Sequence, residues 1–111
     1  MSQGNIISTG PVRASGYAQR FRKAAFGALG SMLDAGQVTV KDVGAEVSRV
    51  NQAIFRMVVE KFALLKNAVI NISARYTLND NHLKITDITV EVYNIDRTLS
   101  DAITNELKNS I

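Results

Sequence analysis

The stretch Ala68 to Tyr93, AVINISARYTLNDNHLKITDITVEVY, decides how this chain folds. From Ala68 to Leu78 apolar and polar residues alternate with period two. Ile70, Ile72, Ala74, Tyr76 and Leu78 share one face, and Asn71, Ser73, Arg75 and Thr77 the other. That alternation marks a half-buried strand. Asn79-Asp80-Asn81-His82 is turn chemistry, because short amide and carboxylate side chains tolerate left-handed backbone. Leu83 to Tyr93 is the return strand of a hairpin. Its alternation slips: Leu83 and Ile85 keep one parity, while Ile88, Val90 and Val92 take the other. A one-residue bulge near Thr86-Asp87 restores all five to one face.

A hairpin with one apolar face needs a second layer, and the preceding residues supply it. Val43, Val47, Val50, Ile54, Met57, Val58 and Phe62, followed by Leu65, recur at helical spacing. They predict a helix of about six turns, roughly 35 Å long at 1.5 Å per residue. Thr39 is its expected N-cap, with Asp42 at the third position to favour the dipole. Upstream, Tyr17, Phe21, Ala25, Ala28 and Met32 mark the apolar face of a helix over Tyr17–Asp34, widened by Phe26, Leu29 and Leu33. Ser15 is a candidate N-cap and Gly36 a left-handed C-cap. Gly27 and Gly30 are expected where a neighbouring backbone approaches closely.

Ile6 to Arg13 (IISTGPVR) reads as a short strand, confined to an edge or a bulge by Pro11. Asp96 to Asn109 reads as a polar helix with a thin seam of Leu99, Ile103 and Leu107. Residues 1–5 are polar and expected to fray. The order is β-α-α-β-β-α: one α+β domain over residues 1–111, with an antiparallel sheet packed on two amphipathic helices.

Hydrophobic residues are 46% and charged residues 21% of the chain, a balance that folds. There is no Cys, which excludes disulfides and thiolate metal sites. No apolar run approaches the ~20 residues that span a bilayer. Residues 1–9 lack the order of a signal peptide, so a cytoplasmic protein is expected. The net charge of +3 is unevenly placed. Residues 1–33 carry Arg13, Arg20, Arg22 and Lys23 and no acid, whereas the remainder has nine Lys or Arg against ten Asp or Glu. Such asymmetry points to an anionic partner, with a solvated basic helix face as the plainer alternative.

Nothing in the residues argues for catalysis. His82 is the only His and falls in the hairpin turn, so a Ser–His–Asp arrangement has no neighbour to build on. Asp42 and Glu46 lie one helical turn apart, a solvated acidic N-terminus rather than a hard-cation site, which gathers more ligands. Metal-dependent cleavage using Asp80 and Asp87 is a remote third reading. Thr9-Gly10-Pro11 and Gly27 to Gly30 match no phosphate-binding glycine loop. No cofactor, metal or catalytic residue is expected.

Arg13 to Phe26 (RASGYAQRFRKAAF) interleaves Arg13, Arg20, Arg22 and Lys23 with Tyr17, Phe21 and Phe26. Cations neutralise phosphates and aromatic rings stack on bases. Tyr17 and Phe21 also fall on the core stripe, so the cations are the better candidates. A second surface is the polar hairpin face, where Asn71, Ser73, Arg75 and Thr77 join Thr89, Glu91 and Tyr93; Glu91 opposes phosphate there. Duplex DNA calls for a denser basic stripe than this.

The run Ile7 to Gly30 (ISTGPVRASGYAQRFRKAAFGALG), then the long helix, then ISARYTLNDNHLKITDITVEVY, resembles a family of small archaeal proteins. The family includes single-stranded DNA-binding proteins of the thermophile type that lacks the OB-fold. The resemblance covers residues 7–93, and its most specific piece is S-T-G-x-V-R-x-x-G-Y-A. It implies a compact α+β domain binding single strands in an apolar and basic cleft, with Arg13, Tyr17, Arg20, Arg22 and Lys23 at the matching positions. Arg97 to Ile111 departs from it, lacking the sustained heptads of the better-known member's dimerising coil.

The sequence thus predicts a non-enzymatic protein that binds single-stranded nucleic acid, DNA or RNA, with little sequence specificity. Arg13, Arg20, Arg22, Lys23 and Arg75 would meet phosphates; Tyr17, Phe21 and Tyr93 are the stacking candidates. The rival is an assembly module that pairs with a second copy through Phe55, Val59 and Phe62. A homodimer is expected in either case.

Overall fold

Strand β1 (Ile6–Arg13), helix α1 (Tyr17–Ala28), a short α2 (Gly30–Asp34), the long α3 (Val40–Phe55), strands β2 (Val69–Asn79) and β3 (His82–Tyr93), and α4 (Arg97–Ser110) follow one another along the chain. The structure, a computed structural model, describes residues 5–94 and 96–110. Of the segment expected to fray, residues 1–4 lie outside the described residues. The three strands form one antiparallel sheet in the order β1-β2-β3. Helix α1 lies against β1 and α3 against β3. The α+β class read from the sequence is the class observed.

The hairpin forms as its pattern dictates. Asp80 and Asn81 have φ of 53° and 66°, the left-handed pair that a two-residue type I′ turn requires. The register runs from Asn79↔His82 to Tyr76↔Ile85, then shifts before Ser73↔Thr89 and Ile70↔Val92. Asp87 at φ 53° takes up the extra residue. The slip in alternation is therefore a bulge, and it returns Val90 and Val92 to the helix-facing side.

β1 is an edge strand and is bulged where Pro11 required it. Its register shifts between Ser8 and Pro11, with Gly10 at φ 67°. The buried Thr9 hydroxyl mends the ladder there. It accepts the N–H of Ile72 at 3.0 Å and donates to the Gly10 carbonyl at 2.7 Å. Arg20 Nη1 reaches the Thr9 carbonyl from α1.

Between the layers lies the core: Ile7, Phe21, Leu29, Val43, Val47, Val50, Ile70, Ile72 and Ile85 are fully buried. Thr39 and Asp42 form a capping box at the start of α3, each side chain accepting the other's backbone N–H. Gly36 closes the preceding segment with φ 76°.

Four local expectations are corrected. Ser15 does not cap α1: it sits in a 3-10 turn, Ala14–Gly16, and Gly16 precedes the helix without a side-chain cap. The single helix over Tyr17–Asp34 breaks at Leu29, whose φ of −98° and ψ of 8° leave the helical region. Gly27 and Gly30, both poor helix formers, flank that break. Neither glycine marks a close approach, because a Cβ at either meets nothing within 4 Å. Finally, α3 continues from Phe55 as a wider π-helical turn, Arg56–Lys61, which rotates the stripe. Val58 stays buried while Met57, Phe62 and Leu65 turn outward.

Helix α4 forms, but it adds nothing to the core. Its seam of Leu99, Ile103 and Leu107 is exposed, and no residue of the helix is buried. The radius of gyration, 17.6 Å, accordingly exceeds the about 13 Å expected for a compact domain of 100 residues.

Candidate nucleic-acid interface

The amphipathic pattern of α1 aims its apolar side at the sheet and leaves Arg20, Arg22 and Lys23 outward. These three cations line one groove with Val12, Gly16 and Gln19, about 550 Å³ in volume. Arg22 also lines a second groove of about 510 Å³ between α1 and α3, with Tyr17, Ser48, Asn51, Gln52, Phe55 and Arg56. Tyr17 and Phe55 in turn border a third hollow that includes Ser15, Val59 and Lys66. The shared residues join the three into one continuous path across the α1–α3 side of the domain.

Charge along this path is positive and not consumed internally. Among the described residues the ion pair is Arg49–Glu46, at 2.7 Å, and neither partner lines the path. The Arg22 guanidinium lies over the Phe26 ring, 4.9 Å from its centroid, a cation–π contact that orients it. Glu60 is the single acid on the path.

The floor is held by a reciprocal bolt between α1 and α3. The Tyr17 hydroxyl donates to the Asn51 carbonyl at 3.0 Å, and Asn51 Nδ2 donates to the Ala18 carbonyl at 3.2 Å. Tyr17 is 6% exposed, and burial pushes its phenol above the ordinary range. Phe21 is 0% exposed, so it is a core residue and cannot stack on a base. The ring that does present itself is Phe55, 43% exposed.

The remaining predicted residues lie elsewhere. Arg13 pairs with Val69, which pairs with Tyr93, so these three form one row across the sheet's outer face. Arg75 lies on that same face, opposite Ile6 and Thr86. The Tyr93 hydroxyl accepts from Asn71 Nδ2 and donates to Glu91, leaving its ring 43% exposed. The structure thus splits the predicted set. Tyr17, Arg20, Arg22 and Lys23 belong to the helical path, and Arg13, Arg75 and Tyr93 to the opposite side of the sheet.

Sequence reasoning missed Ser48, Gln52, Arg56 and Lys66 on the path and assigned Phe55 only to pairing. Ser48, Gln52, Arg56 and Glu60 recur every four residues beside the apolar stripe of α3, a polar ridge that could have been read. That this ridge faces the cations of α1 depended on how the helices pack. Glu46 was also misread: it is no solvated acid but a partly buried group bonded to the β3 backbone.

The profile of the archaeal family described as ThermoDBP-related matches residues 7–85. Among solved structures, apeThermo-DBP-RP2 bound to ssDNA dT10 is similar, with a TM-score of 0.79 and 24% identity over 95% of this chain and 50% of that one. A second, pfuThermo-DBP-RP1 in crystal form II, has a TM-score of 0.70 and 25% identity over 95% of this chain and 69% of that one. The present chain therefore spans about half the length of the first of these. No curated protein matches it. The resemblance read from residues 7–93 is borne out, and the chain belongs to the ThermoDBP-related family of archaea.

Proposed function

We propose that this protein binds single-stranded nucleic acid, DNA or RNA, with little sequence preference and without catalysis, along the α1–α3 path. One observation carries the reading: Arg20, Arg22 and Lys23 line a groove continuous with one that holds Arg56 and the exposed ring of Phe55. A strand presents phosphates and unstacked bases side by side, and this path offers cations and a ring side by side. A duplex hides its bases, so Phe55 gains nothing from one. The similar chain crystallised with dT10 supports the same reading. Arg13, Arg75 and Tyr93 form a secondary contact on the outer sheet face, where a longer strand passes after leaving the helices. Acting on cellular nucleic acid, the protein works in the cytoplasm.

The test is fluorescence anisotropy of labelled single strands and duplexes across a salt series. Single strands are expected to bind more tightly, with a log–log slope of about −0.7 per phosphate contacted. Salt-independent binding, or equal affinity for the duplex, defeats the proposal.

A specific observation favours self-association as well. Phe55, Met57, Val59 and Phe62 are all exposed at one corner of the domain, more apolar surface than isolated residues would present. The reading therefore takes the protein to be a homodimer. Were strand binding absent, this corner would leave assembly as the protein's role.

A further inference from the structure

We propose that Glu60 reads guanine in a bound single strand. The groove it lines between α1 and α3, with Arg22, Phe55 and Arg56, is a base pocket, and its carboxylate accepts the N1–H and N2–H donors of that base. The inference rests on strand binding along the α1–α3 path and names the base that one position on it prefers.

Glu60 is at odds with its surroundings. It is the single acid on a path of cations. It is exposed, and among the described residues the ion pair is made elsewhere, by Arg49 and Glu46, so neither Arg22 nor Arg56 pairs with it. A carboxylate here repels phosphate. The part of a strand it can meet with gain is the part that carries donors, the bases. A second acceptor without a donor borders the same groove: among the described residues Asn51 Oδ1 is buried with no hydrogen-bond partner. Buried acceptors are ordinarily paired, so this groove favours a ligand that brings N–H groups.

The backbone keeps Glu60 over the groove. A row of residues four apart drifts steadily around an α-helix of 3.6 residues per turn. The π-helical turn Arg56–Lys61 is wider and winds that drift back, so Glu60 lines the groove together with Gln52 and Arg56. Single π-helical turns of this kind are rare and concentrate at functional sites.

Base chemistry then selects guanine. An ionised carboxylate only accepts. Guanine alone presents two adjacent N–H donors on its Watson–Crick edge, one for each carboxylate oxygen. Adenine and cytosine set their amino group beside a ring-nitrogen lone pair, which the second oxygen would face. Thymine and uracil place one N–H between two carbonyls. On its other edge guanine offers O6 and N7, the acceptor pair that a guanidinium meets with two parallel donors. Arg22 and Arg56 line the same groove. The exposed Phe55 ring supplies the stacking face.

Fluorescence anisotropy with the full chain tests this. It compares dT10 with strands in which one central residue of dT10 is replaced by dG, dA, dC or deoxyinosine. The strand with dG is expected to bind about tenfold tighter than dT10, and deoxyinosine, which lacks the N2 amino group, to lose most of that gain. Glu60→Gln, an exchange at an exposed position, is expected to erase the preference for dG and to tighten dT10 slightly, because a negative charge leaves the path. Equal affinity for all five strands overturns the inference and leaves strand binding standing. A preference for dG that survives in Glu60→Gln, or that deoxyinosine reproduces, also overturns it. Guanosine monophosphate binding as tightly as the dG strand overturns it in favour of a free-nucleotide site. No binding to any strand overturns both the inference and the reading beneath it.

Discussion

The Glu46 carboxylate accepts a 2.7 Å hydrogen bond from the backbone N–H of Ile85, joining α3 to β3 across 39 positions of sequence. Arg49 completes the clamp. It grips Glu46 with two nitrogens, at 2.9 and 2.7 Å, and donates from Nη2 to the Ile85 carbonyl at 2.9 Å. β3 is an edge strand, and an edge exposes backbone groups that invite pairing with other chains. The Glu46–Arg49 pair satisfies both groups of Ile85 beside the bulge.

This clamp is expected to weaken in acid. The Arg49 hydrogen bond, and after it the Ile85 N–H and the charges of Arg49 and Lys84, hold Glu46 below the ordinary carboxylate range, against the opposing effect of burial. A lowered folded-state pKa adds stability that is fully present above the unfolded value and lost as pH falls through the folded one. Urea unfolding should show stability dropping below the ordinary glutamate range. Glu46→Ala should cost about 1–3 kcal/mol at neutral pH and flatten that acid limb. An unchanged acid limb in the variant counts against the assignment.

At the start of α3, Thr39→Ala removes the hydroxyl that accepts the Asp42 N–H. A loss of about 1 kcal/mol is expected from the urea midpoint, with the slope unchanged.

Two glycines should respond with opposite signs. Gly27 lies inside α1 with open space at its Cβ, so Gly27→Ala should stabilise by about 0.4–1 kcal/mol. Gly10 sits at φ 67° in the β1 bulge. Gly10→Ala places a side chain in left-handed backbone and should destabilise by about 1–2 kcal/mol. Thermal unfolding of the two variants side by side reads both.

On the binding path, Arg22→Ala and Lys23→Ala should each reduce the magnitude of the salt slope by about 0.7 and weaken all strands alike. Phe55→Ala should cost about 1–3 kcal/mol of affinity for single strands and leave that slope intact. Phe21→Ala serves as contrast. It empties a core site and should cost about 3–5 kcal/mol of folding stability, without a selective effect on the salt slope.

The sequence by itself determined every element whose residues carry a local cause. Period-two alternation broken at Thr86-Asp87 specified the β2–β3 hairpin and its bulge, and the spacing of Thr39 and Asp42 specified a cap. Pro11, unable to donate, specified an edge strand. It also showed that the cations of residues 1–33 are unopposed by acids nearby in the chain. Tertiary structure alone decided which of those cations share a surface. Arg13 leaves with the sheet because it ends β1, while Arg20, Arg22 and Lys23 turn toward Phe55 and Arg56 because α1 packs beside α3. It decided that Tyr17 and Phe21 serve the core, and that the π-helical turn after Phe55 turns Met57 and Phe62 outward. Local pattern reports which side of an element is apolar, but which elements face one another follows from packing between residues distant in the chain, and that is where grooves are made.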